Sequence, residues 1–554
     1  MLSQQFTQST DLTMAPPVTT YYITGPPAYF DLIYSDVWLP PLYSRRILCF
    51  QLPQTSTHEK ALEILKRGLQ SLVDGTPQLG GQVAFVPGEE REDGVPWKAI
   101  RPGKGIELRV KDLRHRQNNG TNGNETDEES FPSFAELESS GFPITAFKDG
   151  VLVPVPVPIM PLPLPQAVLQ ANLIEGGLLL CVCMAHELTD GNGMNAIMLA
   201  LGEQCKLACE SEAELQPMAM NLDRSLMLEL RGSKTDLKDH PAYGYMKGAF
   251  IPHDTPTSTT DGTDNTNNPF GSSQPTTKNQ IPSKETTLLK AADTETNAAT
   301  THEHNHYPPP TPTPPRVKTH TYHIPPSAAR ALKLAASTPT HPVSTHDALS
   351  ALMWRTLMHA RHACGLLSQP SPQTHLPPTE STYTLPHNVR HHVGLPYTWV
   401  GNCCYFISAT LPLAVILEHP SVSLPLMASS IRAALNAVDG DVVGGLMQLR
   451  KQCTYDVTWW PLFRIGEPQV LMATSFWHSG LVGVDFGGLV GRVRHFTSSD
   501  EGAMGGFRNT CFVGPKLLGG EGEGGGCFVS LGLTGGEEEW FGRDEVWGRF
   551  VREV

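Results

Sequence analysis

The sequence predicts an α/β protein of two similar-sized lobes, each with mixed β-sheets flanked by helices. Three observations predict it. Extended apolar stretches alternate with amphipathic helices in both halves of the chain. One long polar insertion separates those halves. The chain has 554 residues, 40% hydrophobic and 17% charged, enough for more than one full core with polar insertions. The boundaries read as 20–252 for the N-terminal lobe, 253–316 for the insertion and 317–554 for the C-terminal lobe.

The first lobe opens with the apolar stretch "SRRILCFQLP". A helix follows, for which Ser56 and Glu59 read as a capping box and Leu62, Leu65, Leu69 and Leu72 recur at helical spacing. The segment "RQNNGTNGNETDEES" (116–130) reads as a solvated loop. Further on, "QAVLQANLI" alternates, "EGG" turns, and "LLLCVCMA" is an unbroken apolar run suited to a strand buried on both faces. That run ends at "HELTDGNG". The next segment, "MNAIMLALGEQCKL", is helical in character with Asn192 as its cap, so the motif sits on a strand-to-helix loop.

The insertion is dominated by Thr, Asn, Ser and Pro, with Phe270 its one large apolar side chain between His253 and Gln280. Such a segment buries too little surface to offset its ordering entropy and is expected to be disordered. The second lobe then begins with the strand "RVKTHTYHIPP". Its clearest helix is "STHDALSALMWRTLMHAR", capped by Ser344 and Asp347, with Leu349, Leu352, Met353, Leu357 and Ala360 on one face. Extended segments follow at "YTLPHNVR", "NCCYFISATL", "QVLMATSF" and "GGGCFVSLGL", and a final helix around Glu538–Phe550. The glycine run "GGEGEGGG" (519–526) reads as a hairpin turn, since no lysine or helix start follows to make it a phosphate loop.

Composition excludes several function classes. A net charge of −14 argues against a nucleic-acid partner, which calls for a basic face. Eleven cysteines without a C-x-x-C pair fit reduced thiols in a cytoplasmic protein better than disulfides or structural zinc. The first twenty residues lack the blocks of a signal peptide, so the sequons at Asn119 and Asn124 carry little meaning. The apolar stretch from Val151 to Pro165 has proline at roughly every second position, which rules out a membrane span.

His186 and Asp190, followed at once by Gly191 and Gly193, hold the chemical interest. A metal site needs a third protein ligand, and the glycines interrupt the helix that would align the pair, so no metal is expected. An inert core imidazole is the bland alternative. A buried strand ending in His before a glycine-containing turn is, however, how α/β folds expose a working side chain. A general base is therefore the favoured reading, because an imidazole with pKa near ~6.5 takes up protons near neutral pH. "HEHNH" (302–306) reads as an adventitious metal binder within the insertion.

"HELTDG" (His186–Gly191) resembles the H-x-x-x-D-G motif of the BAHD acyltransferases, and the likeness continues in order along the chain. "SDVWLPPLYSRRILCF", "PQLGGQVAF", "VSTHDALSALMWRTLMHAR", "NVR…LPYTWVGNCCY", "VDFGG" and "GGCFVSLGL" resemble successive family segments. The flavour is closest to fungal members similar to trichothecene acetyltransferases. Two departures stand out: Gly488 replaces the Trp of D-F-G-W-G, and Phe476 is inserted in the T-S-W element.

The resemblance implies a chloramphenicol-acetyltransferase-like fold with a tunnel between two lobes. It implies acyl transfer, with acetyl-CoA as the expected donor, to a hydroxyl or amine of a small molecule in secondary metabolism. Acyl-CoA would be a co-substrate, with no bound cofactor, no membrane and a monomeric state. His186 would be the base, and Asp190 would pair with Arg390 rather than orient the imidazole. Gly191 would let the backbone approach substrate, Asp485 and Gly487 would be structural, and Thr474, Ser475 and Trp477 would offer oxyanion or pocket contacts. Arg492 and Arg494, with Arg450–Lys451, are expected to meet CoA phosphates. The competing expectations are a non-catalytic binding or scaffold member and a condensation-domain-like amide or ester former. Against the latter, Ala185 stands where two adjacent histidines are usual.

Overall fold

The computed structural model describes residues 18–37, 41–90, 96–114, 131–155, 161–233, 240, 317–370, 376–452, 467–498, 509–517 and 526–553. The insertion 253–316, the loop 116–130, residues 156–160 of the proline-rich stretch and residues 519–525 of the glycine run lie outside the described residues. Mixed sheets and flanking helices form the α/β architecture expected, and all described residues fall in one compact unit.

The first sheet has six strands in the order Val18–Ile23, Ile106–Asp112, Ala167–Ile174, Gly177–Ala185, Tyr43–Gln51 and Val493–Thr497. Its central hairpin pairs Ile174 with Gly177, and Gly176 takes φ +69°, which glycine adopts without a Cβ penalty. Every residue of Gly177–Ala185 is buried, as its unbroken apolar run requires. Ala167–Ile174 departs from its alternating pattern and is also buried throughout. Its polar residues tolerate this because Gln170 donates to Val151 O and Asn172 to Leu152 O and Leu179 O.

The second sheet has seven strands: Cys404–Pro412, Glu380–Asn388, Val470–Ser475, Thr510–Lys516, Cys527–Leu533, Lys318–Ile324 and Arg552–Glu553. Thr510–Lys516 and Cys527–Leu533 pair antiparallel on either side of the glycine run. A smaller four-stranded sheet carries Phe30–Asp31, Pro96–Arg101, Gln82–Glu90 and Leu164–Pro165.

Two hydrophobic clusters pack on the two large sheets. They do not follow the sequence halves strictly. Val400, Leu481, Phe486, Val490, Val493 and Phe496 belong to the first cluster, and Ile33 and Met227 to the second. Residues 481–497 thus return to the first sheet and contribute its edge strand, before the chain rejoins the second sheet.

Capping differs from expectation at two helices. His58–Gly75 is capped by Thr57, whose hydroxyl accepts from Lys60 N, not by Ser56, whose hydroxyl donates to Leu489 O. Gly191–Glu210 is capped by Asp190, not Asn192, because the carboxylate reaches both Asn192 N and Gly193 N. Thr345–Ala363 carries the capping box of Ser344 and Asp347. The C-terminal helix is broken in two, Gly535–Phe541 and Glu545–Phe550, with Asp544 capping the second.

Candidate functional site

The strand Gly177–Ala185 delivers His186 to the wall of a cavity of about 1060 Å³. The cavity is bordered from the first sheet by Tyr43 and Arg45 and from the second by Leu385, Met472 and Thr474. His186 N donates to Leu42 O at 2.9 Å, which fixes the backbone of the turn. Its ring is held by Asn402, whose Oδ1 lies 3.2 Å from Nδ1. The amide orientation of Asn402 is set independently. Its Nδ2 faces three acceptors: His186 O at 2.8 Å, Glu187 O at 3.3 Å and Asp36 Oδ1 at 3.3 Å. Oδ1 therefore accepts, Nδ1 carries the proton, and Nε2 is left with its lone pair.

Burial lowers the His186 pKa below its ordinary value, aided by the Arg46 charge and opposed by hydrogen bonds and the Asp190 carboxylate. The ring is neutral at neutral pH. Arg46, from the "SRRILCF" strand, supports the loop from behind. It donates to Gly191 O at 2.9 Å and Asn195 Oδ1 at 3.1 Å, and its guanidinium lies 4.3 Å from the centre of the Phe476 ring. Burial brings its pKa down to about 9. Gly191 lines the cavity, and a Cβ there would sit 3.1 Å from Arg46 Nη2 and 3.5 Å from Phe476.

Asp190 points away from the imidazole and into the scaffold. Both of its oxygens meet Arg390, at 2.8 and 2.9 Å, and Cys403 N donates to Oδ2 at 2.9 Å. Burial pushes the Asp190 pKa up, but Arg390 and the backbone N–H donors outweigh it and the net direction is downward. Arg390 also donates to Gly401 O and Trp399 O. One ion pair thus joins the His186 loop to the segment that carries Asn402.

The other sequence-derived residues divide sharply. Thr474, Ser475 and Trp477 all border the cavity. Ser475 Oγ lies 2.8 Å from His346 Nε2 and accepts from Trp477 N at 3.3 Å, so both groups are engaged. Phe476 turns toward the first cluster, against Phe496 and Phe512. Asp485 Oδ1 accepts from Gly487 N, and the intervening Phe486 is fully buried against Phe50. Gly487 takes φ +89° and packs on Cys209 and Lys206 of the helix Gly191–Glu210.

Arg492 and Arg494 do not border the cavity. Arg492 pairs with Asp485 at 3.0 Å and Arg494 with Glu138 at 2.7 Å. Arg450 is buried and donates to Cys404 O, which also removes it as a phosphate contact. The exposed cations that do border the cavity are Lys333 and Lys516.

Sequence reasoning missed Asn402, Arg46 and His346. His346 lies within the "STHD" start of a recognised helix, and burial brings its pKa down to about 4. No motif marks it, because its partner Ser475 is 129 residues away.

Residues 42–205 match the family described as Trichothecene 3-O-acetyltransferase-like N-terminal domain. The chain is 24% identical over 484 residues to "Enoyl-CoA isomerase/hydratase claC" of Penicillium crustosum, covering 85% of this chain and 46% of that protein. It is 31% identical over 206 residues to "Trichothecene 3-O-acetyltransferase TRI101" of Fusarium sporotrichioides, covering 36% and 42%. The chain thus spans less than half the length of the first curated relatives it matches. The structure of F. sporotrichioides TRI101 complexed with coenzyme A and T-2 superposes with a TM-score of 0.67 at 21% identity, covering 95% of this chain and all of that one. The chain has that fold, and its residues 42–205 are similar to the N-terminal domain of trichothecene 3-O-acetyltransferase-like proteins.

Proposed function

We propose that this chain transfers an acyl group from acyl-CoA to a hydroxyl or amine of a small molecule, with His186 as general base. The carrying observation is the His186 ring at the cavity wall, with Nδ1 tied to Asn402 and Nε2 left as the basic nitrogen. Nε2 takes the acceptor's proton as its oxygen or nitrogen attacks the thioester carbonyl. The tetrahedral oxyanion collapses, the C–S bond breaks, and the CoA thiolate leaves. A thiol with pKa near ~8.5 needs little acid help, and the imidazolium supplies the proton that makes free CoA thiol.

Thr474 is the donor we assign to the oxyanion. Ser475 and the Trp477 N–H are already engaged with His346 and with each other, whereas the Thr474 side chain hydrogen-bonds to no described residue. Lys333 and Lys516 replace the two arginines as the contacts for CoA phosphates. The setting we infer is a monomeric, cytoplasmic enzyme of fungal secondary metabolism, a reading supported by eleven cysteines without a C-x-x-C pair and by the fungal relatives. No helix among the described residues is long and apolar enough to cross a membrane. The isomerase/hydratase named for the Penicillium relative is not carried over, because more than half of that protein lies outside the match.

The test is to incubate the purified chain with acetyl-CoA and a panel of small alcohols and amines while following free thiol. Acceptor-dependent release that falls about 10²–10⁴-fold in His186→Ala supports the reading. Tight acyl-CoA binding without release replaces it with a binding or scaffold role, and release indifferent to His186 removes His186 as the base.

A further inference from the structure

We propose that His387, His391 and His392 form a binding site for a divalent transition metal of the zinc class, beside the same cavity, which His387 and His391 border. The observation is geometric: one ring nitrogen from each of the three lies within 4.8 Å of the others. His387 is the penultimate residue of the strand Glu380–Asn388, and His391 and His392 follow on the 3₁₀ turn Arg390–Val393. The rings face one another, with centroids 5.8 Å apart for His387–His391, 5.7 Å for His387–His392 and 3.8 Å for His391–His392. None of the three rings hydrogen-bonds to another described residue, so their nitrogens are free for a ligand.

Three imidazoles are a recognised donor set for zinc, with Zn–N near ~2.0–2.1 Å and the fourth position open to water or substrate. Tetrahedral geometry puts ligand nitrogens about 3.3 Å apart, so side-chain rotation from the observed separation suffices. Ligands must be unprotonated to bind. His391 is exposed, which gives the ion a path in.

Occupancy would act on the fold at a chosen point. The turn that carries His391 and His392 begins with Arg390, which holds Asp190 and hence the His186 loop. Linking the turn to the preceding strand through a metal staples that arrangement. The inference stands apart from acyl transfer, since it is read by metal binding and melting temperature.

The experiment uses the untagged full chain, stripped by chelator, titrated with Zn²⁺ by calorimetry and with Co²⁺ by visible absorption. A control variant changes His302, His304 and His306 to Gln, removing the "HEHNH" tract. The site is supported by one equivalent of Zn²⁺ bound equally by wild type and the control, a raised melting temperature, and an intense Co²⁺ band of a four-coordinate site. His391→Ala, at an exposed position, should keep its metal-free melting temperature and lose at least about tenfold in affinity, and adding His387→Asn should abolish binding. Loss of binding in the control, or unchanged affinity in His391→Ala, overturns it. A weak six-coordinate Co²⁺ spectrum does so as well.

Discussion

Asp190 and Arg390 stand 200 residues apart in the chain and meet through two parallel hydrogen bonds, at 2.8 and 2.9 Å, with both side chains almost wholly buried. Each charge relies on the other to offset its lost hydration, so removing one partner leaves the other uncompensated, at a typical cost of ~3–5 kcal/mol. Asp190 also caps the helix Gly191–Glu210, which raises the stakes of any change there. Asp190→Asn is expected to lower the yield of folded protein and its melting temperature at least as much as turnover. An Asn variant that melts like wild type and is merely slow would show that Asp190 works on the imidazole instead.

In the proposed mechanism Asn402 acts through His186, whose Nδ1 it holds, so its loss should be visible in turnover and absent when the base is already gone. Asn402→Ala is expected to lose part of the ~10²–10⁴-fold that a positioned base supplies, mainly in kcat. In His186→Ala the same change should have little further effect, since residues that act as a unit are not additive. Equal losses in both backgrounds would make Asn402 a structural residue only.

The pH profile follows from a depressed imidazole. Burial lowers the His186 pKa, so the neutral base persists below the ordinary value of 6.5. The acidic limb of kcat/KM for the free enzyme is therefore expected below pH 6.5, and a limb above it would contradict the assigned environment. Stability has the same sign. His186, His346 (about 4) and His495 (about 3) are all lowered in the fold, so as pH falls below 6.5 the unfolded chain takes up protons that the folded chain refuses. Stability should fall by about 1.4 kcal/mol per pH unit for each such proton. Glu187, raised to about 7, works in the opposite direction between 7 and 4.5. Returning acid-treated enzyme to neutral pH before assay separates reversible titration from unfolding.

What could be read from sequence, and what could not, divides along contact distance. His186 was legible because a buried strand, a histidine and a glycine turn are consecutive. The Asp190–Arg390 pair was legible only through family resemblance, since nothing in either segment alone points to the other. Asn402, Arg46 and His346 act through partners 216, 145 and 129 residues away, and local pattern carries no trace of such contacts. The surroundings of Arg492 and Arg494 were illegible for the same reason: an isolated positive charge reads as available, whereas each here faces a carboxylate and neither borders the cavity. The caps at Ser56 and Asn192 slipped by one and two residues, within the reach of neighbouring side chains that compete for the same N–H groups.

Gly487 and Gly488 offer a paired test of the altered D-F-G segment. A Cβ on Gly487 would lie 2.6 Å from Cys209 Sγ and 3.0 Å from Lys206 Cα, at φ +89°, whereas one on Gly488 meets nothing within 4 Å. Overpacking and left-handed strain each typically cost ~1–3 kcal/mol. Gly487→Ala should therefore melt well below wild type, while Gly488→Ala should be close to neutral. Because neither residue borders the cavity, kcat of the folded fraction should be unchanged in both. A Gly487→Ala protein of normal stability would remove the segment's role in fixing the helix Gly191–Glu210.

The phosphate groups of an acyl-CoA need cations within reach, and on a chain of net charge −14 those must be local. Lys333 and Lys516 are exposed at the cavity border and come from different elements, the helix Pro326–Ala336 and the strand Thr510–Lys516. Charge-assisted contacts at exposed positions are weakened by solvent, so each Lys→Ala change should raise KM for acyl-CoA by about 3- to 10-fold with kcat retained. The effect should shrink as salt is added, since mobile ions screen exposed charges over about 10 Å at 0.1 M. Arg492→Ala and Arg494→Ala serve as the comparison, because their charges are spent on Asp485 and Glu138 away from the cavity. If the arginine variants raise KM and the lysine variants do not, the donor enters from the opposite side, and the assignment of phosphate contacts reverses.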